Sequence, residues 1–246
     1  MEYRSCINGM DVTAHYTDES VNTIFLPLLR LLTGLQRERN RRILVFLAAP
    51  PAAGKSTLVS FLEYLSRKED GLTPIQSIGM DGFHHDQDYL ASHTVVKNGE
   101  EIPMSRVKGS PISFDLELMT QRIRRVAAGE SCGWPEYNRR LHNPRDNAIA
   151  ITGSIILLEG NYLLLDRPGW RELKGYADYT IRISADKNDV RERLVRRKAG
   201  STGWPREQAE AFVDFSDIDN VREVTEYSLP GDLNLRMGSD GSYVKE

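Results

Sequence analysis

Residues 43–57 decide the fold of this chain, and they read Ile-Leu-Val-Phe-Leu-Ala-Ala-Pro-Pro-Ala-Ala-Gly-Lys-Ser-Thr. The stretch begins with five apolar residues in a row, a pattern typical of a strand buried on both faces of a parallel sheet. It ends in Gly54-Lys55-Ser56-Thr57, after which apolar residues recur at helical spacing as far as Arg67. A buried strand, a loop that ends in Gly-Lys-Ser and a helix together form the context of a phosphate-binding P-loop.

The loop is expected to bind the polyphosphate of ATP, because backbone N–H groups and the helix N-terminus would surround the phosphates with donors and positive dipole. Lys55 adds a mobile charge for the outer phosphates, and the Ser56 hydroxyl can reach Mg²⁺. The predicted nucleotide-binding residues are Pro51, Ala52, Ala53, Gly54, Lys55, Ser56 and Thr57. Ala49 stands where the pattern usually has its first glycine, and the turn is expected to survive if the φ angle of Ala49 is negative.

Predicted strands and helices alternate along the chain. Apolar runs predict strands at residues 43–47, 75–80, 155–158, 178–183 and near 223–228, and periodicity predicts helices at 19–39, 55–67, 115–128, 187–198 and 205–215. Residues 94–113 are polar and poor in helix signals, and residues 133–147 are interpreted as a functional loop or ribbon. This order favours an α/β fold with a doubly wound, mainly parallel sheet flanked by helices.

We interpret residues 1–246 as one domain of this fold. Within it, residues 1–40 are predicted to be a helical extension, either a packing helix or part of a homodimer contact. Residues 187–215 are predicted to be an Arg-rich lid helix and the helix that follows it.

Composition argues against several classes of function. The 246 residues are 40% hydrophobic and 27% charged, and the net charge of -3 gives no overall attraction to nucleic acid. Cys6 and Cys132 are the only cysteines, so the sequence offers neither a disulfide framework nor metal-ligand spacing. Residues 1–18 are polar and the apolar runs are short, which predicts a cytoplasmic protein without a membrane or nucleic-acid partner.

Two carboxylates directly follow predicted strands. Asp81 ends the strand at 75–80, Glu159 ends the strand at 155–158, and each precedes a glycine. Because the carboxyl ends of parallel strands meet at one edge, both side chains are expected beside the P-loop. Phosphoryl transfer needs one carboxylate near the acceptor hydroxyl and another at the metal. The alternatives are an Asx-type turn at Asp81 and an ordinary strand-exit charge at Glu159.

Several segments in order resemble the superfamily of uridine kinases, pantothenate kinases and phosphoribulokinases. The version in this chain is most similar to bacterial nucleoside/nucleotide kinase-like proteins, including those called fructose-transport-system kinases. The resemblance extends from about residue 43 to about residue 220. The segments that carry it are Asp81-Gly82-Phe83-His84, Lys108-Gly109-Ser110-Pro111 with Phe114-Asp115, Tyr137-Asn138-Arg139-Arg140-Leu141-His142-Asn143-Pro144 and Glu159-Gly160-Asn161-Tyr162-Leu163-Leu164.

The resemblance implies roles for the carboxylates and for the acceptor loop. Asp81 would be the general base toward the acceptor hydroxyl and would contact the substrate, whereas Glu159 and Ser56 would hold Mg²⁺. The other substrate residues implied are Tyr137, Arg139 and His142.

Tyr137 and His142 have the Tyr-x4-His spacing that uridine kinases use around the nucleoside. The Asp that usually follows this Tyr is Asn138 here, so a different polar group faces the acceptor pocket, which argues against uridine itself. The alternative for this stretch is a solvated loop with an aromatic anchor.

The segment from Arg193 to Arg197 resembles the lid helix of the superfamily. Arg193, Arg196 and Arg197 would then be catalytic together with Lys55, because their charges can spread over the transferring phosphoryl group and closure excludes water. The alternative is a solvated basic helix face.

These features favour an ATP-dependent kinase that transfers the γ-phosphoryl group to a hydroxyl of a small metabolite, such as a nucleoside, a sugar or a pantothenate-like alcohol. An ATPase or nucleotide-gated regulatory protein remains the alternative, because Ala49 and Asn138 depart from the usual patterns. A nucleic-acid-directed P-loop protein would be expected to have a basic surface and stacking aromatics, which the net charge of -3 does not favour. The sequence does not identify the acceptor, since a few hydrogen bonds determine specificity.

Overall fold

The structure, a computed structural model, describes residues 1–7, 10–138 and 141–246. The described residues form twelve β-strands: β1 (Glu2–Ile7), β2 (Met10–His15), β3 (Ile43–Ala48), β4 (Ile75–Gly79), β5 (Thr94–Lys97), β6 (Glu100–Pro103), β7 (Gly133–Asn138), β8 (Asn143–Ala150), β9 (Ile155–Gly160), β10 (Tyr179–Ala185), β11 (Leu233–Met237) and β12 (Tyr243–Lys245). They also form eight α-helices: α1 (Asp18–Ser20), α2 (Leu26–Arg39), α3 (Lys55–Lys68), α4 (Gln87–Ser92), α5 (Leu116–Ala127), α6 (Lys187–Thr202), α7 (Arg206–Phe212) and α8 (Ile218–Tyr227). Two π-helical turns, Val21–Phe25 and Val213–Asp217, join α1 to α2 and α7 to α8.

The central sheet has six strands in the order β12-β11-β10-β3-β9-β4. Its neighbouring strands pair in parallel, except for the antiparallel pair of β11 and β12. The chain runs from β3 in the middle to β4 at the edge and returns to fill the place between them with β9. This topology confirms the predicted doubly wound α/β fold with a mainly parallel sheet.

The residues of β3 explain why the sheet needs helices on both faces. All six are buried. Alternate side chains, from Ile43 to Leu47, pack with apolar residues of α2 and α3, whereas those from Leu44 to Ala48 pack with α5 on the opposite face. Each fully buried aliphatic or aromatic side chain contributes about 1.5–3 kcal/mol. An unbroken apolar run is therefore what a central strand of this sheet requires.

Most of the predicted strands and helices are confirmed to within a few residues, but two predictions are wrong. Residues 2–15 were predicted to belong to a helical extension, but they form the antiparallel hairpin of β1 and β2. Its stability comes from distant residues, since Tyr16 stacks on Phe61 of α3 with ring centroids 4.1 Å apart. The strand predicted near residues 223–228 is instead the end of α8, in which Val221 and Val224 are buried at helical spacing.

Two hairpins project from the segments between β4 and β9. In the polar stretch 94–113, β5 and β6 are joined by Asn98 and Gly99, which both have positive φ angles, as an Asn-Gly hairpin turn requires. Residues 133–147, predicted as a loop or ribbon, form the antiparallel hairpin of β7 and β8. The second hairpin packs on the end of β4, where a Cβ atom at Gly82 would lie 2.2 Å from the carbonyl oxygen of Pro135.

The close approach at Gly82 gives a stability test. Gly82→Ala places a methyl group against the backbone of β7 and should lower the free energy of unfolding by about 1–3 kcal/mol, the usual cost of overpacking. Gly34→Ala is the matched control, because nothing lies within 4 Å of its Cβ position in α2. That control should stabilise the protein by about 0.5–1 kcal/mol. Urea denaturation of both variants measures the difference, and an unchanged midpoint for Gly82→Ala would contradict the close packing of Gly82 on β7.

Candidate active site

The pairing of three parallel strands brings the predicted site residues to one edge of the sheet. In this register Glu159, near the end of β9, lies opposite Leu47 of β3 on one side and Gly79 of β4 on the other. The P-loop leaves the sheet two residues after Leu47, and Asp81 follows two residues after Gly79. The P-loop and both carboxylates therefore emerge from adjacent strands.

The P-loop has the backbone conformation of a tight phosphate-binding turn. Gly54 has a φ angle of 70°, in the left-handed region that favours glycine. Ala52 has a φ angle of 60°, which costs a residue with a Cβ atom about 1–3 kcal/mol. Ala49 is fully buried and its φ angle is not positive, so a glycine is not needed at that position. The turn thus tolerates alanine where the pattern usually has its first glycine.

The P-loop and the start of α3 fit the phosphates of ATP. The N-cap of α3 is Gly54, and no described side chain caps the N–H groups of the first turn. These donors and the positive end of the helix dipole are available to an anion. In the wall of the neighbouring cavity the Oδ1 atom of Asn161 is buried and has no hydrogen-bond partner among the described residues, which also suits a polar ligand.

Ser56 and Glu159 fit a shared Mg²⁺ ion. The Ser56 hydroxyl donates a hydrogen bond to Oε1 of Glu159 at 2.7 Å, which places two hard oxygen ligands side by side. Among the described residues, no cluster of three or more His, Cys, Asp or Glu side chains could hold a metal ion. Mg²⁺ commonly takes one or two protein ligands and completes its shell with phosphate oxygens and water. The donor set therefore suits Mg²⁺ bound together with a nucleotide.

Asp81 lies in one turn of 3₁₀-helix, Met80–Phe83, directly after β4. Strand β7 holds this turn in place, because Nε1 of Trp134 donates a hydrogen bond to the carbonyl oxygen of Gly79 at 2.8 Å. His84 stabilises the end of this turn, because its Nδ1 atom lies 2.8 Å from the carbonyl oxygen of Asp81. The carboxylate thus lines two cavities from a rigid support.

The larger cavity joins the predicted nucleotide and acceptor residues. It has a volume of about 650 Å³. The P-loop, the turn after β4, the β7–β8 hairpin and α6 all contribute to its wall. The residues that line it include Pro51, Lys55, Asp81, Lys108, Tyr137, His142 and Arg197. Predicted substrate residue Arg139 lies outside the described residues, so its role stays a prediction.

The three predicted lid arginines of α6 lie in different surroundings. Arg197 of α6 lines the larger cavity. Arg193 is one turn earlier and donates hydrogen bonds to Sδ of Met237 at 3.2 Å and to the carbonyl oxygen of Ser239 at 3.3 Å. Arg196 is exposed and is not among the described residues that line this cavity. The geometry thus brings Arg197 to the cleft, and the catalytic roles of all three stay predictions.

The smaller cavity includes residues that the sequence analysis did not place in the site. Its volume is about 220 Å³, and Ser56, Asp81 and Glu159 line it together with Cys6 and Ile7 of β1. The Tyr3 hydroxyl lies 2.7 Å from Oγ of Ser60, which attaches the hairpin to α3. No local motif marks residues 2–7, because their position depends on contacts with a helix some fifty residues later.

Lys108 is a second site residue that was not predicted. Its Nζ donates hydrogen bonds to the Tyr137 hydroxyl at 2.7 Å and to the carbonyl oxygen of His142 at 3.2 Å. Burial lowers the pKa of Lys108 from 10.5 to about 8, although the Asp81 carboxylate opposes this change. The ammonium also lies 4.6 Å from the centre of the Tyr137 ring. The segment Lys108-Gly109-Ser110-Pro111 was part of the family resemblance, but nothing in it indicated that the lysine contacts Tyr137, 29 residues later in the chain.

These features define an α/β protein with a P-loop and a cleft lined by both the predicted nucleotide-binding residues and the predicted acceptor residues. The chain is 38% identical over 244 residues to the protein YggC of Escherichia coli (strain K12), whose function is uncharacterised, and the match covers 99% of this chain and 98% of YggC. It is 29% identical over 137 residues to a uridine kinase of Vibrio vulnificus (strain YJ016), with 55% of this chain and 60% of that protein covered. No protein-family model matches the chain.

Two solved structures extend the comparison. A provisionally assigned fructose transport system kinase from Silicibacter sp. TM1040 superposes with a TM-score of 0.69 at 30% identity, covering 82% of this chain and 98% of that one. A phosphoribulokinase from Rhodobacter spheroides shares the fold, with a TM-score of 0.56 at 15% identity, and the match covers 80% of this chain and 70% of that one.

The chain belongs to the same family as YggC and this fructose transport system kinase, and its similarity to uridine kinases places it among the P-loop kinases. P-loop kinases of this group act on small metabolites and use ATP with Mg²⁺ as cofactor. Among the residues described, every helix is too short or too polar to span a bilayer.

The desolvated Lys108 gives a pH-dependent stability prediction. Its pKa is lower in the folded protein than in the unfolded chain, so the charged ammonium costs stability below pH 8, and this cost fades as the pH rises toward 10.5. Lys108→Met should therefore stabilise the ligand-free protein at pH 7 by about 1 kcal/mol, a small effect because the ammonium is half exposed.

Thermal unfolding of the variant and the parent at pH 7 and pH 10 measures this difference, which should shrink at the higher pH. Lys68→Met is the matched control, because Lys68 is exposed at the end of α3. A Lys108→Met protein that is less stable than the parent at pH 7 would instead make this lysine a structural contact of Tyr137.

Proposed function

We propose that this protein is an ATP-dependent kinase that transfers the γ-phosphoryl group to a hydroxyl of a small metabolite. One observation carries the proposal: Lys55 of the P-loop, Asp81 and the acceptor-side residues Tyr137 and His142 line one cavity. An ATPase needs a nucleotide site and a place for water, whereas residues of the β7–β8 hairpin and of α6 also line this cavity. The uridine kinase and the fructose transport system kinase among the relatives support the same class of reaction.

The nucleotide end of the cleft is formed by the P-loop. Backbone N–H groups at the start of α3 and the ammonium of Lys55 hold the phosphates of ATP. Ser56 and Glu159 hold Mg²⁺, which neutralises charge on the phosphate oxygens. Arg197 supplies a further positive charge from α6 as negative charge spreads during transfer.

Asp81 acts as the general base at the acceptor end. Its carboxylate accepts the proton of the acceptor hydroxyl while the hydroxyl oxygen forms a bond to the terminal phosphorus, and the bond from that phosphorus to the bridging oxygen breaks to leave ADP. The hydrogen bond from Nε1 of Trp134 to the carbonyl oxygen of Gly79 holds the turn that carries Asp81. A small shift of this turn should therefore impair transfer. Tyr137 and His142 orient the acceptor.

Replacing each carboxylate separates the two proposed roles. Asp81→Asn keeps the size of the side chain and removes the proton acceptor, so turnover should fall by about 10²–10⁴-fold while ATP binding is retained. Glu159→Gln should mainly raise the Mg²⁺ concentration needed for half-maximal activity. Asp70→Asn, in the exposed loop after α3, is the matched control and should leave both quantities unchanged.

Steady-state kinetics over a Mg²⁺ series, with ATP affinity measured by calorimetry, checks these outcomes. If Asp81→Asn weakens Mg²⁺-ATP binding and leaves the chemical step intact, Asp81 is a metal ligand and Glu159 becomes the candidate base.

Acceptor dependence of ADP release tests the kinase against the ATPase. The purified chain with ATP and Mg²⁺ should hydrolyse ATP slowly alone, because closure of α6 over an acceptor is needed to assemble the site and exclude water. The correct acceptor should raise ADP release by orders of magnitude, toward about 1–100 per second. Rapid hydrolysis that no metabolite in a broad panel stimulates would refute the kinase and leave an ATPase in its place.

A further inference from the structure

A further cavity, distinct from the two that Asp81 lines, is bordered by β5 and by the start of α8. We call it the rear cavity. Its volume is about 470 Å³, within the range of cavities that bind small molecules. Apolar side chains form much of its wall, among them Val95, Val107, Pro111, Ile112, Leu165 and Trp170. The rear cavity therefore suits a mainly apolar ligand.

The charged side chains of the rear cavity are paired with one another. Nζ of Lys97 lies 2.8 Å from Oδ2 of Asp219, and Nε of Arg167 lies 2.6 Å from Oε1 of Glu223. A charged ligand would have to displace one partner of a partly buried ion pair, which is costly because the other charge is left unpaired. The arrangement thus favours an uncharged ligand.

Two serine hydroxyls of the rear cavity lack hydrogen-bond partners. Ser110 and Ser216 both line it, and the Oγ atom of each is buried without a partner among the residues that the structure describes. Ser216 is only 2% exposed. Because a buried hydroxyl without a partner is costly, a ligand that carries a hydroxyl, carbonyl or amide group would satisfy these groups.

The π-helical turn after α7 separates the rear cavity from the active-site cleft. Ser216 of this turn lines the rear cavity, whereas the next residue, Asp217, lines the cleft together with Arg197 and Lys198 of α6. Asn220, one turn later, lines both cavities. A change in the conformation of this segment would therefore reach both cavities.

A second segment has the same position between the two cavities. Residues 108–109 line the cleft, and residues 110–111 line the rear cavity. Trp170 of the rear cavity packs edge-to-face on Tyr162, with ring centroids 5.3 Å apart. The Tyr162 hydroxyl in turn donates a hydrogen bond to the carbonyl oxygen of Gly109 at 2.6 Å. The wall of the cleft thus rests directly on the wall of the rear cavity.

We propose that the rear cavity is an effector site. It binds an uncharged, mainly apolar molecule that carries a hydroxyl, carbonyl or amide group, and its occupancy changes nucleotide binding in the cleft. This inference goes beyond the proposed kinase function, since the effector takes no part in phosphoryl transfer. A ligand that favours one conformation of residues 108–111 and 216–220 alters the wall of the cleft, and linkage requires that the nucleotide affects the effector equally.

Small ring compounds of defined charge test the class of ligand. NMR titration of the full chain measures the affinity of phenol, toluene, benzoate and benzylammonium. Phenol should bind at least about 10-fold more tightly than either ion, because an ion would lose its hydration in an apolar cavity. The double variant Ser110→Ala, Ser216→Ala should weaken phenol binding by about 2- to 10-fold and leave toluene binding unchanged, since it removes only hydrogen bonds.

Blocking variants test the location of the site. Ile112 and Val96 line the rear cavity and are 51% and 73% exposed, so a larger side chain at either position leaves the core intact. Ile112→Trp should fill the cavity and abolish phenol binding, and Val96→Trp should do the same from β5. Leu31→Trp, on α2, is the matched control because Leu31 is 46% exposed, and it should bind phenol like the parent.

Calorimetry with a non-hydrolysable ATP analogue and Mg²⁺ measures the coupling. Saturating phenol should change the affinity for the analogue by about 5-fold or more in the parent and in Leu31→Trp, but not in Ile112→Trp. The inference is overturned if no uncharged probe binds, if phenol binding survives both blocking variants, or if phenol leaves the affinity for the analogue unchanged. These measurements need no acceptor and no ADP release, so the effector site and the kinase function can fail independently.

Discussion

The parallel pairing of β9 with β3 on one side and β4 on the other is the constraint on which the site depends. Parallel strands end at the same edge, and the register places Glu159 between Leu47 and Gly79. The P-loop and Asp81 each begin two residues later on these neighbouring strands. The hydrogen bond between Ser56 and Glu159 joins β9 to the first turn of α3 across this edge. Apolar side chains buried on both faces of β3 hold the ladder that aligns these groups.

Several features of the cleft are unfavourable to the protein without ligands. Ala52 has a left-handed φ angle despite its Cβ atom, and Lys108 keeps a half-buried ammonium beside neutral oxygens. Such strain is typical of functional sites, where the stability of the surrounding scaffold holds groups in positions that a ligand completes. The turn that carries Asp81 is well supported. Trp134 packs edge-to-face on Phe83 and donates a hydrogen bond to the carbonyl oxygen of Gly79.

Local patterns predicted the sheet better than they predicted the hairpins. The apolar run that starts at Ile43 predicts a buried strand. A strand covered on both faces needs apolar side chains at every position, and such a run can be recognised from consecutive residues. The β1–β2 hairpin was missed because it is stabilised by Tyr16 on Phe61, a contact between residues far apart in the chain. Asn98 and Gly99 have the residue types of a hairpin turn, whereas residues 223–228, expected to form a strand, belong mostly to α8, whose buried residues follow helical spacing.

The sequence by itself determined the class of protein, since the strand, the Gly54-Lys55-Ser56 loop and the helix are contiguous, and the rule for strand ends located Asp81 and Glu159 beside them. Only the tertiary structure decided which charges meet in the cleft. It brought Arg197 to the cavity and turned Arg193 toward Met237, and it placed Lys108 against the hairpin that carries Tyr137. These contacts join segments that are separated by tens of residues. Their distances and their burial depend on how the segments pack, and a local sequence motif carries no information about that packing.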